Sequence, residues 1–467
     1  MRPGWMIAAV AGGALALSQR ATAQSLVSPG DSALAHEIFA ELIAIRSLSS
    51  SPAAVEAAEA VATRLRAAGF PEEEVLVVGP EPGVGGLVAR YGGTGEGGRP
   101  ILLMAHLDVV DALREDWSLD PFELIERDGW WYGRGTTDNK AGAAILVANF
   151  LRYRRDGFVP SRDLIMVLTL DEETGGRSIE WLVHERRDLV DAEFALNTDA
   201  GGGVLREGRA VMNGVQASEK VYLSFRLKVT NPGGHSSRPR PENAIYTLAA
   251  GLGRLASHRW PVELNEVTRG FFERAASLEN GQTAADMRAV AATPPDLAAA
   301  ERLAARSPYH NALMRTTCVA TRLEAGHADN ALPQTARAIV NCRILPGRSP
   351  DQVERTLNDV LADPAITVSR DDEPRPSPPS PLTPAVLGPI ERLTDAMWPG
   401  VPVVPVMSTG ATDGLYVRNA GIPVYGVAAI FEDQDDVRAH GKDERIEVRR
   451  FYEALEFWYR LVQELSR

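Results

Sequence analysis

Cysteine is almost missing from this 467-residue chain, with Cys318 and Cys342 the only two. That scarcity excludes a disulfide-stapled scaffold, and two lone cysteines without a histidine pattern around them exclude a thiolate metal site. Both fall in strand-like segments, TTCVATRL and AIVNCRIL, separated by a turn. In an oxidising compartment they could pair; two buried free thiols fit the sequence equally well. Positive charge is also short. Lys and Arg number 49 against 62 Asp and Glu, a formal net charge of -13. An acidic surface gains nothing from phosphate backbones or anionic lipid, so neither nucleic acid nor membrane is expected as a partner. No segment is long and apolar enough to cross a bilayer, and no internal repeat is visible.

What is present begins with a targeting pattern. Arg2 precedes an apolar stretch, Met6–Leu17, and Ala21-Thr22-Ala23 offers a small-x-small cleavage site. Residues 1–23 therefore read as a signal peptide cut after Ala23, and the protein as secreted, into a periplasm or the exterior. The rest is ordinary globular composition, 45% hydrophobic and 24% charged, long enough for two or three domains.

Ser51-Pro52 opens a helix that Gly69 stops, with Val55, Ala58, Ala62 and Leu65 on one face. Short apolar strands recur at VLVVG from Val75, ILLMAH from Ile101, LIMVLTL from Leu164 and FALNT from Phe194, with a helix from Lys140 to about Tyr153. Strands alternating with helices predict an α/β domain with a mostly parallel, mixed sheet flanked by helices, and sites at the carboxyl ends of its strands. After Gly214 the pattern changes. KVYLSFRLKV (220–229) alternates apolar and polar, a helix follows from about Asn243, and an alanine-rich helical stretch runs through about Arg306. Two strands, a helix over Pro350–Leu361 and a strand over Ala365–Ser369 complete a β-α-β-β-α-β, ferredoxin-like α+β unit with an insertion. PRPSPPSPLTP (374–384) reads as a linker, after which VVPVM, VYGVA and a helix from Arg449 resume the first pattern. The expected division is 24–213 and 374–467 for a catalytic α/β domain and 214–373 for an inserted smaller one.

Five candidate metal ligands follow apolar strands or lie in glycine-bounded turns: His106, Asp138, Glu173, Asp199 and His440. Mixed imidazole and carboxylate donors suit zinc, with manganese or cobalt as substitutes.

The motifs HLDVV (106–110), GRGTTDNKAG (133–142), DEETGG (171–176), NTDAGG (197–202), GGHSS (233–237), HADNALP (327–333), GATDG (410–414) and HGKDE (440–444) come in an order that resembles the aminoacylase and carboxypeptidase family of di-zinc metallopeptidases, family 20 of the MH clan. The resemblance implies two Zn2+ bridged by Asp138, with His106 and Asp199 completing one position and Glu173 and His440 the other. It implies Glu172 as general base, Asp108 as the residue orienting His106, and His235 as an oxyanion donor that often reaches across a dimer. Asn330, Arg343 and Gly410 match positions that hold substrate, an arginine fork suiting a free carboxylate. The inserted domain then acts as a lid and a homodimer surface; in some monomeric members an enlarged lid replaces the partner, and the insertion around Phe271–Tyr309 fits either arrangement. Ala141 stands where many members have glycine, and Asn341 where many have aspartate. The helical insertion is similar to the Gly-Xaa carboxypeptidase and N-acyl-amino-acid hydrolase branch. The expected activity is hydrolysis of an amide bond next to a free carboxylate, in a small peptide or an N-acyl amino acid. The competing expectation is a periplasmic protein that binds peptide without cleaving it.

Overall fold

The computed structural model describes residues 26–371 and 373–467. The signal peptide expected over 1–23 lies outside the described residues. Among those described, no helix is long and apolar enough to cross a membrane.

Two compact units emerge, one of residues up to 216, 382–404 and 412–467, the other of 217–381 and 405–411. The smaller unit therefore includes 374–381 and 405–411, which the sequence-drawn border at 373 assigns to the larger one. The proline-rich stretch is not a free tether either: Ser377 and Ser380 are buried, and the Ser380 N–H donates to the Ala217 carbonyl at 2.7 Å.

The larger unit is built on a mixed sheet whose centre is parallel. Leu164–Thr169, Ile101–His106, Phe194–Asn197 and Val424–Gly426 lie side by side in that order and run the same way. Every residue of Ile101–His106 and Leu164–Thr169 is buried, as continuous apolar strands covered on both faces must be. The flanks are antiparallel: Val75–Glu81 and Val84–Tyr91 on one side, and the hairpin Gly202–Arg206 with Arg209–Glu219 on the other. The sequence reading passes over Val84–Tyr91, whose Gly85-Gly86 obscures a strand pattern, and over the helix Pro29–Ala44, capped by Ser28. The expected helix from Ser51 runs Pro52–Ala67, with the Ser51 side chain accepting the Ala54 N–H at 3.3 Å. Lys140–Asp156 and the closing helix Val448–Leu465 pack against each other, Tyr153 and Tyr459 stacking at 5.0 Å. A small separate sheet pairs Trp130–Tyr132 with Arg445–Glu447 antiparallel.

The smaller unit has the order Thr317–Ala325, Thr335–Ile344, Val221–Thr230, Thr367–Arg370, all antiparallel. Helices Ala244–Ser257 and Pro350–Leu361 cover one face around Leu223, Phe225, Leu227, Val340, Leu248 and Leu357. The alanine-rich insertion forms four short helices between Glu266 and Met314. Cys318 and Cys342 face each other directly across neighbouring strands and are joined as a disulfide. Cross-linking withdraws freedom from the unfolded chain, worth about 2–4 kcal/mol. Cys318→Ser/Cys342→Ser is therefore expected to lower stability in non-reducing denaturant titration by that amount; an unchanged midpoint would mean the thiols are not paired.

Candidate metal centre

The parallel register places three strand ends that carry candidate ligands together. His106 is the last residue of its strand, paired with Thr169 on one side, while Met104 pairs with Asn197 on the other. Glu172-Glu173 follow Thr169 in a short turn, and Asp199 follows Asn197 by two residues. The remaining two come from the small sheet: Tyr132 and Arg445 are partners, so the turn that leads to Asp138 and the turn that starts at His440 leave the same end of one ladder.

Asp138 directs its Oδ1 at His106 Nε2, 3.0 Å away, and its Oδ2 at His440 Nε2, 3.1 Å away. His106 Nε2 also lies 3.4 Å from Asp199 Oδ1, and His440 Nε2 lies 2.9 Å from Glu173 Oε2. Ligand atoms of His106, Asp138 and Glu173 fall within 4.8 Å of one another, as do those of His106, Glu172 and Asp199. Glu172 is thus near enough to join the His106 group, and proximity alone does not separate ligand from base. The two glutamates differ in one respect: Glu173 pairs with His440 at 2.9 Å, whereas among the described residues Glu172 forms no ion pair with either histidine.

Electrostatics show what the cluster needs. Burial, then the Asp199 charge, pushes Glu172 well above the usual carboxylate range. Burial and Asp138 push Glu173 up to about 7, and burial raises Asp199 to about 6. Asp138 is partly buried, and desolvation would raise it, yet hydrogen bonds with His106 and His440 hold it low. A hydrogen bond to Asp138 raises His440 to about 9; His106, despite burial, is raised well above its usual value by the Asp199 charge. More carboxylates converge than two imidazoles can neutralise, and a divalent cation would offset the excess. Nitrogen and oxygen donors in this mixture fit zinc.

The supporting residues differ in part from expectation. Asp108 is fully buried beside His106, but the acceptor nearer to His106 Nδ1 is its main-chain carbonyl, at 3.0 Å, with the carboxylate Oδ1 at 3.4 Å. The carboxylate instead accepts the N–H groups of Glu172 and Glu173, at 3.2 and 3.1 Å, and the Ser49 hydroxyl. Asp108 therefore also holds the Glu-Glu turn. Two residues of the quoted motifs were missed. Lys140 is fully buried and donates to the Leu42 and Ile45 carbonyls at 2.7 and 2.6 Å, tying the start of its helix to the end of Pro29–Ala44; burial lowers it to about 7. Asp413 accepts the Thr169 hydroxyl at 2.6 Å, and Tyr416, two residues beyond the GATDG motif, donates to the Gly175 carbonyl, so the segment from Asp413 to Tyr416 is tied to both ends of the Glu-Glu turn. Gly176, at φ +62, leaves no room for a side chain, because a Cβ there would stand 2.6 Å from the Tyr416 ring. Their presence inside motifs was the only signal in the sequence.

His235, Asn330, Arg343 and Gly410 all lie in the smaller unit. His235 is exposed, its Nδ1 accepting the Ser237 N–H at 3.2 Å, and the neighbouring Ser236 N–H donates to the Asn330 carbonyl at 3.0 Å. Arg343 lies over the Tyr222 ring at 4.7 Å and donates to the carbonyl of Thr409, next to Gly410, at 3.2 Å. Asn341 donates to Ser224 at 3.1 Å, a bond within the sheet.

A sequence profile of peptidase family M20/M25/M40 matches residues 102–464. The chain belongs to that family. The human N-fatty-acyl-amino acid synthase/hydrolase is 30% identical over 380 residues, 78% of this chain and 74% of that one. A probable carboxypeptidase S-like protein of Dictyostelium discoideum is 28% identical over 393 residues, 82% and 74% of the two chains. Among solved structures, an M20 family metallo-carboxypeptidase from Sulfolobus solfataricus superposes with TM-score 0.69 at 18% identity, covering 92% of this chain and 99% of that one. Human carnosine dipeptidase 1 gives 0.65 at 17%, covering 96% and 98%. This M20 chain is accordingly an enzyme of the metallopeptidase class, with a mixed α/β fold and a second, smaller domain.

Glu173 at about 7 and Asp199 at about 6 in the folded protein stand above usual values of 4.5 and 3.8. The unfolded chain then gives up these protons first, so the contribution of these two groups to stability is full below 3.8 and is lost as pH rises to about 7. Thermal unfolding of the chelated M20 enzyme is expected to show that decline, with a shallower one in Glu173→Gln. A rise in melting temperature across this window would contradict the electrostatic account.

Proposed function

We propose that this M20 enzyme is a secreted di-zinc hydrolase that cleaves an amide bond next to a free carboxylate, in a peptide or an N-acyl amino acid. The observation that supports it best is the Asp138 carboxylate facing His106 at 3.0 Å and His440 at 3.1 Å. Two cations bound here would repel each other, and Asp138, offered to both, would offset that repulsion. In this reading His106 and Asp199 would hold one ion and Glu173 and His440 the other. When bound, zinc would supply a Lewis acid that polarises the substrate carbonyl and acidifies water.

The chain's own residues do the rest. Glu172 takes the proton of the attacking water and returns it to the leaving amine. A carboxylate within reach of the attacking water can accept its proton and hand it on. Asp108, by accepting the N–H groups of Glu172 and Glu173, holds base and ligand in different directions. Arg343 fits the substrate carboxylate with its planar fork, Asn330 holds the substrate amide, and Gly410 allows close approach of backbone. His235 donates to the developing oxyanion from the partner of a homodimer formed through the smaller domain. A hydrolase of fatty-acyl amino acids and a carboxypeptidase S-like protein among the relatives both fit a bond beside a carboxylate.

Purified enzyme is expected to hold two zinc ions per chain by elemental analysis and to hydrolyse dipeptides or N-acyl amino acids. Glu172→Gln should keep the metal and lose about 10²–10⁴ in kcat. Full activity in that variant would remove Glu172 from its role, and binding without turnover by the wild type would favour the peptide-binding alternative. His235→Ala should cost about 10²–10³ in rate. Light scattering should give a dimer; a strict monomer that still needs His235 would move that residue's action into its own chain.

A further inference from the structure

We propose that Glu444 is a positioning residue that fixes the shared carboxylate and the second histidine as one unit; this rests on the di-metal reading above. Glu444 is fully buried, and its carboxylate is the hub on which the Asp138 turn is wound. Oε1 accepts the N–H of Thr137 at 2.7 Å, the Thr137 hydroxyl at 3.0 Å and the N–H of Asp138 itself at 3.2 Å. Oε2 accepts the N–H of Gly135 at 3.2 Å and a guanidinium N–H of Arg134 at 2.6 Å. Every residue from Arg134 to Asp138 except Thr136 thus donates to one side chain.

The same side chain lies four residues after His440, and the two turns are tied at the backbone as well. The Gly133 N–H donates to the Glu444 carbonyl at 3.1 Å, extending the Tyr132–Arg445 ladder by one step. Arg134, buried against the Trp117 ring at 5.1 Å, also donates to the Gly441 carbonyl at 3.1 Å. The His440 turn needs such fastening, because His440 and Asp443 both adopt left-handed backbone, φ 61° and 53°. That conformation is unfavourable for residues with a Cβ and persists only where surrounding bonds impose it. His440, unlike His106, is half-exposed at 53%, so packing does not hold it. Its distance to Asp138 is set by the Glu444 and Arg134 bonds instead.

Buried groups that orient metal ligands typically govern affinity by about 10–100-fold. The test is titration of chelated full-length protein with Co2+, read by visible absorption, in wild type and Glu444→Gln, with circular dichroism as the fold check. The amide turns an N–H donor toward either the backbone donors or Arg134, so one half of the hub is lost. The expected result is a folded variant whose weaker Co2+ site loses about 10–100-fold in affinity and whose absorption band changes, with kcat falling more than KM rises. A folded Glu444→Gln with both sites at wild-type affinity and an unchanged spectrum overturns the proposal. Should that variant not fold, Thr137→Val, which removes only the hydroxyl bond, decides: a weaker second site supports it and unchanged titration overturns it. Wild-type protein that takes up no Co2+ overturns the di-metal reading itself, and this proposal with it.

Discussion

Asp138 offers one oxygen to each of two imidazoles, and the rest of the centre is arranged around the need to keep that carboxylate ionised where burial disfavours charge. Around it, Glu172, Glu173 and Asp199 are all pushed upward by desolvation. Such a cluster is poorly suited to stability by itself, since each added carboxylate repels the others in a medium of low dielectric. It is well suited to a cation. The conflict between acid repulsion and cation binding is the physical content of the site, and the fully buried Lys140, Asp108 and Glu444 absorb its mechanical consequences by fixing the backbone from which the acids project.

The fold meets that need with three neighbouring parallel strands. Their common direction sends the residues after Thr169, His106 and Asn197 to one edge of the sheet, so a single architectural choice brings Glu172, Glu173, His106 and Asp199 together. The Trp130–Tyr132 and Arg445–Glu447 pair then brings in the two turns that no parallel strand could deliver, from positions more than 300 residues apart. The smaller unit is a separate construction, with its own core and a cross-strand disulfide.

Much of this was legible. The strands at Ile101, Leu164 and Phe194 could be seen because continuous apolar runs bounded by polar turns have few other uses, and the Ser51-Pro52 cap announced its helix. The order β-α-β-β-α-β in 221–370 followed from alternation along Val221–Thr230 and the Pro350 helix. The strand Val84–Tyr91 was hidden by Gly85-Gly86, and the fate of 374–381 by proline, whose effect on local conformation says nothing of what it packs against. Asp108 shows the same limit, since it lies beside His106 as expected but has further partners. Spacing puts its side chain near His106, but only folding reveals that the backbone N–H groups of Glu172 and Glu173 compete for the same carboxylate.

By itself the sequence determined the kinds of donors, their motifs and the strands and turns that carry them, because those depend on side-chain chemistry and on patterns a few residues long. Only the tertiary structure decided which oxygen of Asp138 faces which histidine, that Cys318 and Cys342 are joined, and that Glu444 gathers the turn from Arg134 to Asp138. Those are contacts between residues far apart in the chain, set by sheet order and strand register, and neither is encoded in any local pattern.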